Sequence, residues 1–212
     1  MKAVWYTKTG NASDVLQIGE LDDPVPNVGE VLVKIKTSGV NPSDVKIRAG
    51  ARGELQFPRV IPHSDGGGEI VGVGEGVDKN RIGERVWIWN GAFGRANGTC
   101  AELISLPEFQ AMKINNEVSY GSAACMGIPA STAYYGLLAN GPIKNKTVLI
   151  SGGAGAVGFY GIQIAKLSGA NVITTISSDE KAEIANNAGA DKIINYKKEN
   201  VLKEVMKYTE NN

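Results

Sequence analysis

The chain has 212 residues, 42% hydrophobic and 21% charged, which is enough to bury a core of one or two domains and is the make-up of an ordinary globular protein. Its 22 basic residues balance 22 acidic ones, and no basic block stands out, which argues against nucleic acid or an anionic membrane as partners. Met1-Lys2-Ala3-Val4-Trp5-Tyr6 enters a strand-like run without a signal-peptide core, no apolar stretch approaches membrane-spanning length, and Cys100 and Cys125 form no CxxC pair; the expected setting is the reducing cytoplasm.

Residues 1–118 read as short strands between turn signals. Val31-Leu32-Val33-Lys34-Ile35-Lys36 alternates with period two after the turn Pro26-Asn27-Val28-Gly29. Glu69–Val73, Arg85–Trp89 and Ala101–Leu106 repeat the theme, so a barrel-like β domain is expected. Trp87 and Trp89 fall on one face of a strand; core packing is expected of them, with an aromatic wall for a flat substrate as the alternative. His63 is the one histidine. No set of Cys and His ligands surrounds it in sequence, and no Gly-x-Ser-x-Gly elbow accompanies it, so neither a metal nor a catalytic role is expected there.

From residue 119 to 212 the rhythm changes to strand–helix alternation, the sign of a parallel sheet. The apolar strand 147–151 runs into Gly152-Gly153-Ala154-Gly155-Ala156-Val157-Gly158, and the turn opens a helix near 155–168. Gly153-x-Gly155-x-x-Gly158 between strand and helix is the arrangement that holds a dinucleotide pyrophosphate on a helix's first N–H groups. A second strand spans 171–176, and Ser177 with Glu180 reads as a capping box for the helix that follows. A third strand covers 192–195. An amphipathic helix at 199–208 carries Val201, Leu202, Val205 and Met206 on one side. Only about fifty residues follow Gly158, too few for a six-stranded nucleotide-binding domain, so its C-terminal part is expected to be missing or supplied elsewhere.

A carboxylate at the end of the second strand would pair with a ribose hydroxyl and favour NAD. Here that strand ends in Thr175-Ile176-Ser177-Ser178, with Lys181 nearby and Tyr196 closing the third strand. Hydroxyls, an ammonium and a phenol suit a 2′-phosphate, so NADPH is the expected cofactor. Against this, Ser177 can serve as a helix cap alone, Lys181 as a solvated lysine, and Asp179 with Glu180 would oppose a phosphate.

Several segments in one order carry a resemblance. Gly39-Val40-Asn41-Pro42-Ser43-Asp44-Val45-Lys46-Ile47-Arg48-Ala49-Gly50, then Pro62-His63-Ser64-Asp65-Gly66-Gly67-Gly68-Glu69-Ile70-Val71, Arg81–Val86 and Ala123–Tyr134 resemble the zinc-free medium-chain dehydrogenases/reductases. The likeness runs nearly the whole length and is greatest to the ζ-crystallin-like NADPH:quinone oxidoreductases. It implies an α/β architecture: a GroES-like β-barrel domain at 1–118, followed by a partial Rossmann domain, a doubly wound parallel sheet, at 119–212. Zinc-dependent relatives place a cysteine where this chain has Asn41 and a histidine where it has Ser64, so the resemblance implies chemistry without a metal.

Without a metal, reduction relies on holding the reactive carbon of NADPH against an electron-poor acceptor, a quinone or an enone. The resemblance puts Asn41 near the nicotinamide and Thr132 beside the cofactor, and gives Ser43 and Lys46 to a proton relay. Equally, Ser43 and Asp44 could simply cap a turn after Pro42, leaving Lys46 solvated. Lys46 and Arg52 stand where many quinone reductases carry tyrosines. A 2-alkenal or enone reductase and a non-catalytic nucleotide-binding fragment are the alternatives, and the full-length form is expected to be a homodimer.

Overall fold

A computed structural model of the chain describes residues 1–210; the last two positions of the expected second domain lie outside them. The chain divides into two compact units, Met1–Ile128 and the residues from Pro129 onward. Among the described residues no helix is long and apolar enough to cross a membrane.

In the first unit, β1 (Lys2–Trp5) pairs antiparallel with β2 (Gln17–Glu20), the two joined through the single turn α1 (Ala12–Val15). The main sheet is antiparallel with strand order β6-β3-β4-β5-β7, made of β3 (Glu30–Gly39), β4 (Asp65–Val73), β5 (Arg85–Ile88), β6 (Leu103–Pro107) and β7 (Ala111–Lys113). The helix α2 (Pro42–Arg48) leaves the end of β3, and α3 (Tyr120–Ala124) precedes α4 (Gly127–Leu138). The alternation seen in the sequence selects the buried face: Val31 and Val33, Val86 and Ile88, and Ile104 and Leu106 all turn into one fully buried core with Ile70.

That register corrects the expectation for the tryptophans. β5 gives its core face to Val86 and Ile88, so Trp87 stands on the opposite face and is only half-buried. Trp89 lies just past the strand; its indole N–H donates to the Phe109 carbonyl at 3.2 Å, with the two rings 6.0 Å apart.

The second unit is a parallel sheet in the order β10-β9-β8, from β8 (Thr147–Ile150), β9 (Asn171–Ile176) and β10 (Lys192–Asn195). β9 lies between the other two, and every residue from Val172 to Ile176 is buried, as a strand covered on both faces requires. The helices α5 (Ala156–Leu167), α6 (Asp179–Asn187) and α7 (Val201–Glu210) connect and follow the strands. Ile162, Ala165, Val172, Ile176, Ala185 and Ala188 share the core. On α7 the partly buried positions are Val201, Glu204, Val205 and Tyr208, spaced i, i+3, i+4, i+7. Leu202 and Met206, expected on the same side, are 72% and 50% exposed.

Candidate active site

In the second unit the turn between β8 and α5 is pinned to the end of β9. The Gly152 N–H donates to Thr175 Oγ1 at 3.1 Å, and the Gly153 N–H donates to the Thr175 carbonyl at 3.1 Å. Gly152 takes a left-handed φ of 72°, and the Gly155 N–H closes the turn on the Gly152 carbonyl at 2.9 Å. Gly155 is the N-cap and brings no side chain, so the first-turn N–H groups of Ala156, Val157 and Gly158 point out of the helix end without a side-chain cap. Gly152, Gly155, Ala156 and Val157 are exposed, Ala154 is half-buried, and Gly153 and Gly158 are buried beneath them. An anion such as a pyrophosphate fits this cradle by charge and by donor count.

Beside it, at the C-terminal ends of β9 and β10, three of the sequence-predicted residues come together. Lys181 Nζ donates to Ser177 Oγ at 3.1 Å. The Tyr196 N–H donates to the Ile176 carbonyl at 3.1 Å, which sets Tyr196, half exposed, next to Ser177. The capping expectation is corrected by one position: Ser178, not Ser177, is the N-cap of α6, accepting from the Lys181 N–H at 3.4 Å. β9 ends at Ile176, and Ser177 is thereby left to face Lys181. Asp179, which would oppose a phosphate here, instead holds Lys198 at 3.0 Å through both carboxylate oxygens. Thr132 lies exposed on α4.

In the first unit, Asn41 and Ser43 lie at the start of α2 and Lys46 in its last turn. Asn41 is its N-cap, and Pro42 occupies the first turn, where a missing N–H costs nothing. The Asn41 N–H donates to Asp44 Oδ2 at 2.8 Å, so Asp44 does cap this end, as the plainer reading expected. Ser43 takes no part in the capping, for its Oγ is buried and has no hydrogen-bond partner. Lys46 is exposed one turn further on.

The residue that sequence reasoning passed over is Asp65, which lies in a motif but was given no role. It is 1% exposed, yet it carries a carboxyl group. Asn41 Nδ2 donates to its Oδ2 at 2.8 Å, and the Ile128 N–H at the start of α4 donates to both oxygens at 2.9 Å. Burial pushes the Asp65 carboxyl up to about 6 despite these donors, and the nearby Asp44 charge adds to the rise. Asp44 is itself raised by burial. The available signal was an acidic residue set directly before three glycines in a strand, an isolated charge where the pattern demands burial.

A folded-state pKa above the unfolded value near 3.8 means that the fold prefers the protonated acid. The contribution of Asp65 to stability is therefore complete below about pH 4 and is lost as pH rises through about 6. Two pKa units correspond to about 3 kcal/mol. Relative to an Asp65→Asn variant, the wild type is expected to lose up to about that much stability between pH 4 and pH 8, measured by urea unfolding.

His63 adjoins this cluster with φ at 76°, the left-handed region. Thr99 Oγ1 donates to the Asp65 carbonyl at 2.6 Å, so in its 2.8 Å contact with Ser38 the Ser38 hydroxyl must be the donor. Ser38 then accepts from His63 Nδ1 at 2.9 Å. This count of protons assigns the neutral ring its hydrogen at Nδ1, and burial holds the His63 pKa below its ordinary value. A serine nucleophile activated by this histidine is inconsistent with it, since the imidazole gives Ser38 a hydrogen rather than taking one.

Comparison with known proteins gives two family matches: the alcohol dehydrogenase GroES-like domain at residues 27–131, and the zinc-binding dehydrogenase domain at 156–212. The quinone oxidoreductase of Homo sapiens is 28% identical over 98% of this chain and 62% of its own length. The 2-methylene-furan-3-one reductase of Solanum lycopersicum is 37% identical over 94% of this chain and 53% of its own. The solved structure of the Escherichia coli quinone oxidoreductase complexed with NADPH superposes with a TM-score of 0.82 at 28% identity, covering 99% of this chain and 63% of that one. The chain thus spans less than two thirds of the length of these relatives.

Proposed function

Because the chain belongs to the ζ-crystallin-like medium-chain dehydrogenases/reductases, we propose that it serves the NADPH-dependent reduction of a small electron-poor acceptor, a quinone in first place. The observation that carries the reading is the open glycine turn with Ser177, Lys181 and Tyr196 gathered at the strand ends beside it. The first-turn N–H groups of α5 would hold the pyrophosphate, and Lys181 with the two hydroxyl-bearing side chains the 2′-phosphate. The homodimer implied by the resemblance belongs to the same proposal, for the full-length protein.

NADPH, when bound, supplies the hydride; this chain's residues supply position and a proton. Asn41 would face the nicotinamide, and Thr132 would lie beside the cofactor. No metal is needed in this reading, because a quinone's reduced form is aromatic and its oxygens are readily protonated. The unpartnered Ser43 hydroxyl would pass a proton to the reduced oxygen, with Lys46, one helical turn away, returning it from solvent.

The 37% identity to a furanone reductase favours a conjugated enone as the second reading. Enones need more proton assistance than quinones, since the enolate left by hydride transfer must be protonated. Lys46→Met is therefore expected to slow enone reduction about tenfold or more and quinone reduction less. Equal slowing would remove Lys46 from the relay. The primary test is NADPH oxidation followed by absorbance, with a 1,4-quinone and a 2-alkenal offered in parallel. Quinone-dependent turnover is expected. Binding of NADPH without turnover on either acceptor would leave a nucleotide-binding protein and overturn the reductase.

A further inference from the structure

Asn41 is held at both ends by carboxylates. Asp44 accepts from its backbone N–H at 2.8 Å, and Asp65 accepts from its side-chain nitrogen at 2.8 Å. Asn41 is 6% exposed and Asp65 1%, so neither bond is made to a freely rotating surface group. An ionised carboxylate can only accept hydrogen bonds, whereas a primary amide has a donor end and an acceptor end of nearly the same shape. The charge on Asp65 therefore dictates which end of the Asn41 amide faces it. The Ile128 N–H reaches both carboxyl oxygens, so a proton that settles on Oδ2, the oxygen facing Asn41, points towards the amide. The amide must then turn its oxygen to Asp65 and its nitrogen away.

We propose that Asp65 is a positioning residue whose carboxylate orients the Asn41 amide, so that Asn41 offers the reaction site its oxygen as an acceptor rather than its nitrogen as a donor. This rests on the reading above that Asn41 faces the nicotinamide or the substrate. With Asp65 ionised, Asn41 Oδ1, which faces the Asp44 N–H in the capping box of α2, keeps a second lone pair for a hydroxyl or amide N–H of the bound partner. With Asp65 protonated on Oδ2, the same position presents N–H groups, and the fit is inverted.

The groups that act on this switch are few. Asp44 on α2 raises Asp65 by its charge, and His63, before β4, acts on Asp44 in turn. Because His63 also titrates in the acid range, it requires its own control.

Asp65→Asn is the main variant. With its nitrogen at the Oδ2 position, its oxygen still receives the Ile128 N–H while that nitrogen faces Asn41, and the inverted amide is held at every pH. The wild type is expected to show a kcat for quinone that falls below about pH 6, with its KM for NADPH changing less than threefold. Asp65→Asn is expected to lose about tenfold or more in kcat at pH 7.5 and to show no acid limb between pH 5 and 8. His63→Asn, which tolerates the left-handed backbone, is expected to retain the limb. An Asp65→Asn protein that keeps the limb, or whose kcat stays within twofold of wild type, overturns the proposal, as does a limb that vanishes with His63.

A second readout does not depend on turnover. In the cofactor-free protein, the Asn41 side-chain amide resonances are expected to shift with the same midpoint as the Asp65 carboxyl carbon, and to stay fixed with pH in Asp65→Asn. Amide resonances that ignore the Asp65 titration overturn the switch. If the protein reduces neither acceptor while these resonances move together, the reductase reading fails and the orientation switch stands.

Discussion

Gly158→Ala is expected to weaken NADPH binding by about fivefold to a hundredfold and to reduce quinone turnover at subsaturating NADPH. On helix propensity alone the change should help, since alanine in a helix is about 1 kcal/mol better than glycine. The packing reverses that. A Cβ at position 158 would lie 2.3 Å from the Gly152 carbonyl oxygen and 2.9 Å from Gly153 Cα. Both atoms are backbone and cannot swing aside as a side chain would. The turn must retreat, and its bonds from Gly152 and Gly153 to Thr175 retreat with it. Overpacking of this kind costs about 1–3 kcal/mol, and each 1.4 kcal/mol of lost binding is about tenfold. Fluorescence titration with NADPH measures the effect, and Gly161→Ala on the same helix is the control. There the nearest atoms are side-chain methyls of Ile150 at 3.5 Å and beyond, ordinary contact, and near-normal affinity is expected. Equal losses in both variants would show that glycine at 158 is not what shapes the cradle.

Gly127→Ala is expected to destabilise the first unit by about 3–4 kcal/mol. Its Cβ would sit 2.1 Å from Asp65 Oδ1 and 2.6 Å from Asp65 Cγ. The carboxyl group is walled in, so it can yield only by leaving the Ile128 N–H, the Asn41 amide or both. That exchanges satisfied hydrogen bonds for a buried charge without donors. Gly136→Ala, further along α4 with nothing within 4 Å of the new methyl group, is expected to be neutral or to stabilise by up to about 1 kcal/mol. Urea unfolding of the two variants separates the effects. Similar stabilities for both would mean that Asp65 is free to move, and would remove the basis for its control of Asn41.

Much of the fold was legible because its signals are local. Val31 and Val33, Val86 and Ile88, and Ile104 and Leu106 each declare a buried face by alternation within one strand, and the glycine turn declares itself within eleven residues. Errors arose where a face had to be chosen from outside the segment. The spacing puts Trp87 and Trp89 on one side, but only the pairing of β5 with β4 and β7 decides that the core lies on the face opposite Trp87, and Trp89 falls past the end of the strand. Leu202 and Met206 are apolar, yet the stripe on α7 that packs inward runs through Val201, Val205 and Tyr208. The cap of α6 moved from Ser177 to its neighbour because adjacent serines are equivalent until β9 ends.

Asp65 was unreadable for a different reason. Its partners lie 24 and 63 positions away in the chain, and no window of sequence contains all three. The glycine cradle, by contrast, is a motif in which the residues that bind are also the residues that recur. Sites made of backbone are advertised by the sequence, while sites made of one side chain holding another are assembled only by the fold.

The left-handed backbone at His63 has a consequence for how this position can vary. Holding a residue with a Cβ in that region costs about 1–2 kcal/mol, and a side-chain hydrogen bond such as the one to Ser38 returns about 0.5–1.5 kcal/mol. The two nearly cancel. Glycine would surrender the bond and relieve the strain; asparagine would keep part of both. Position 63 is thus close to a thermodynamic tie among three residue types, and drift between them is nearly invisible to selection on folding alone.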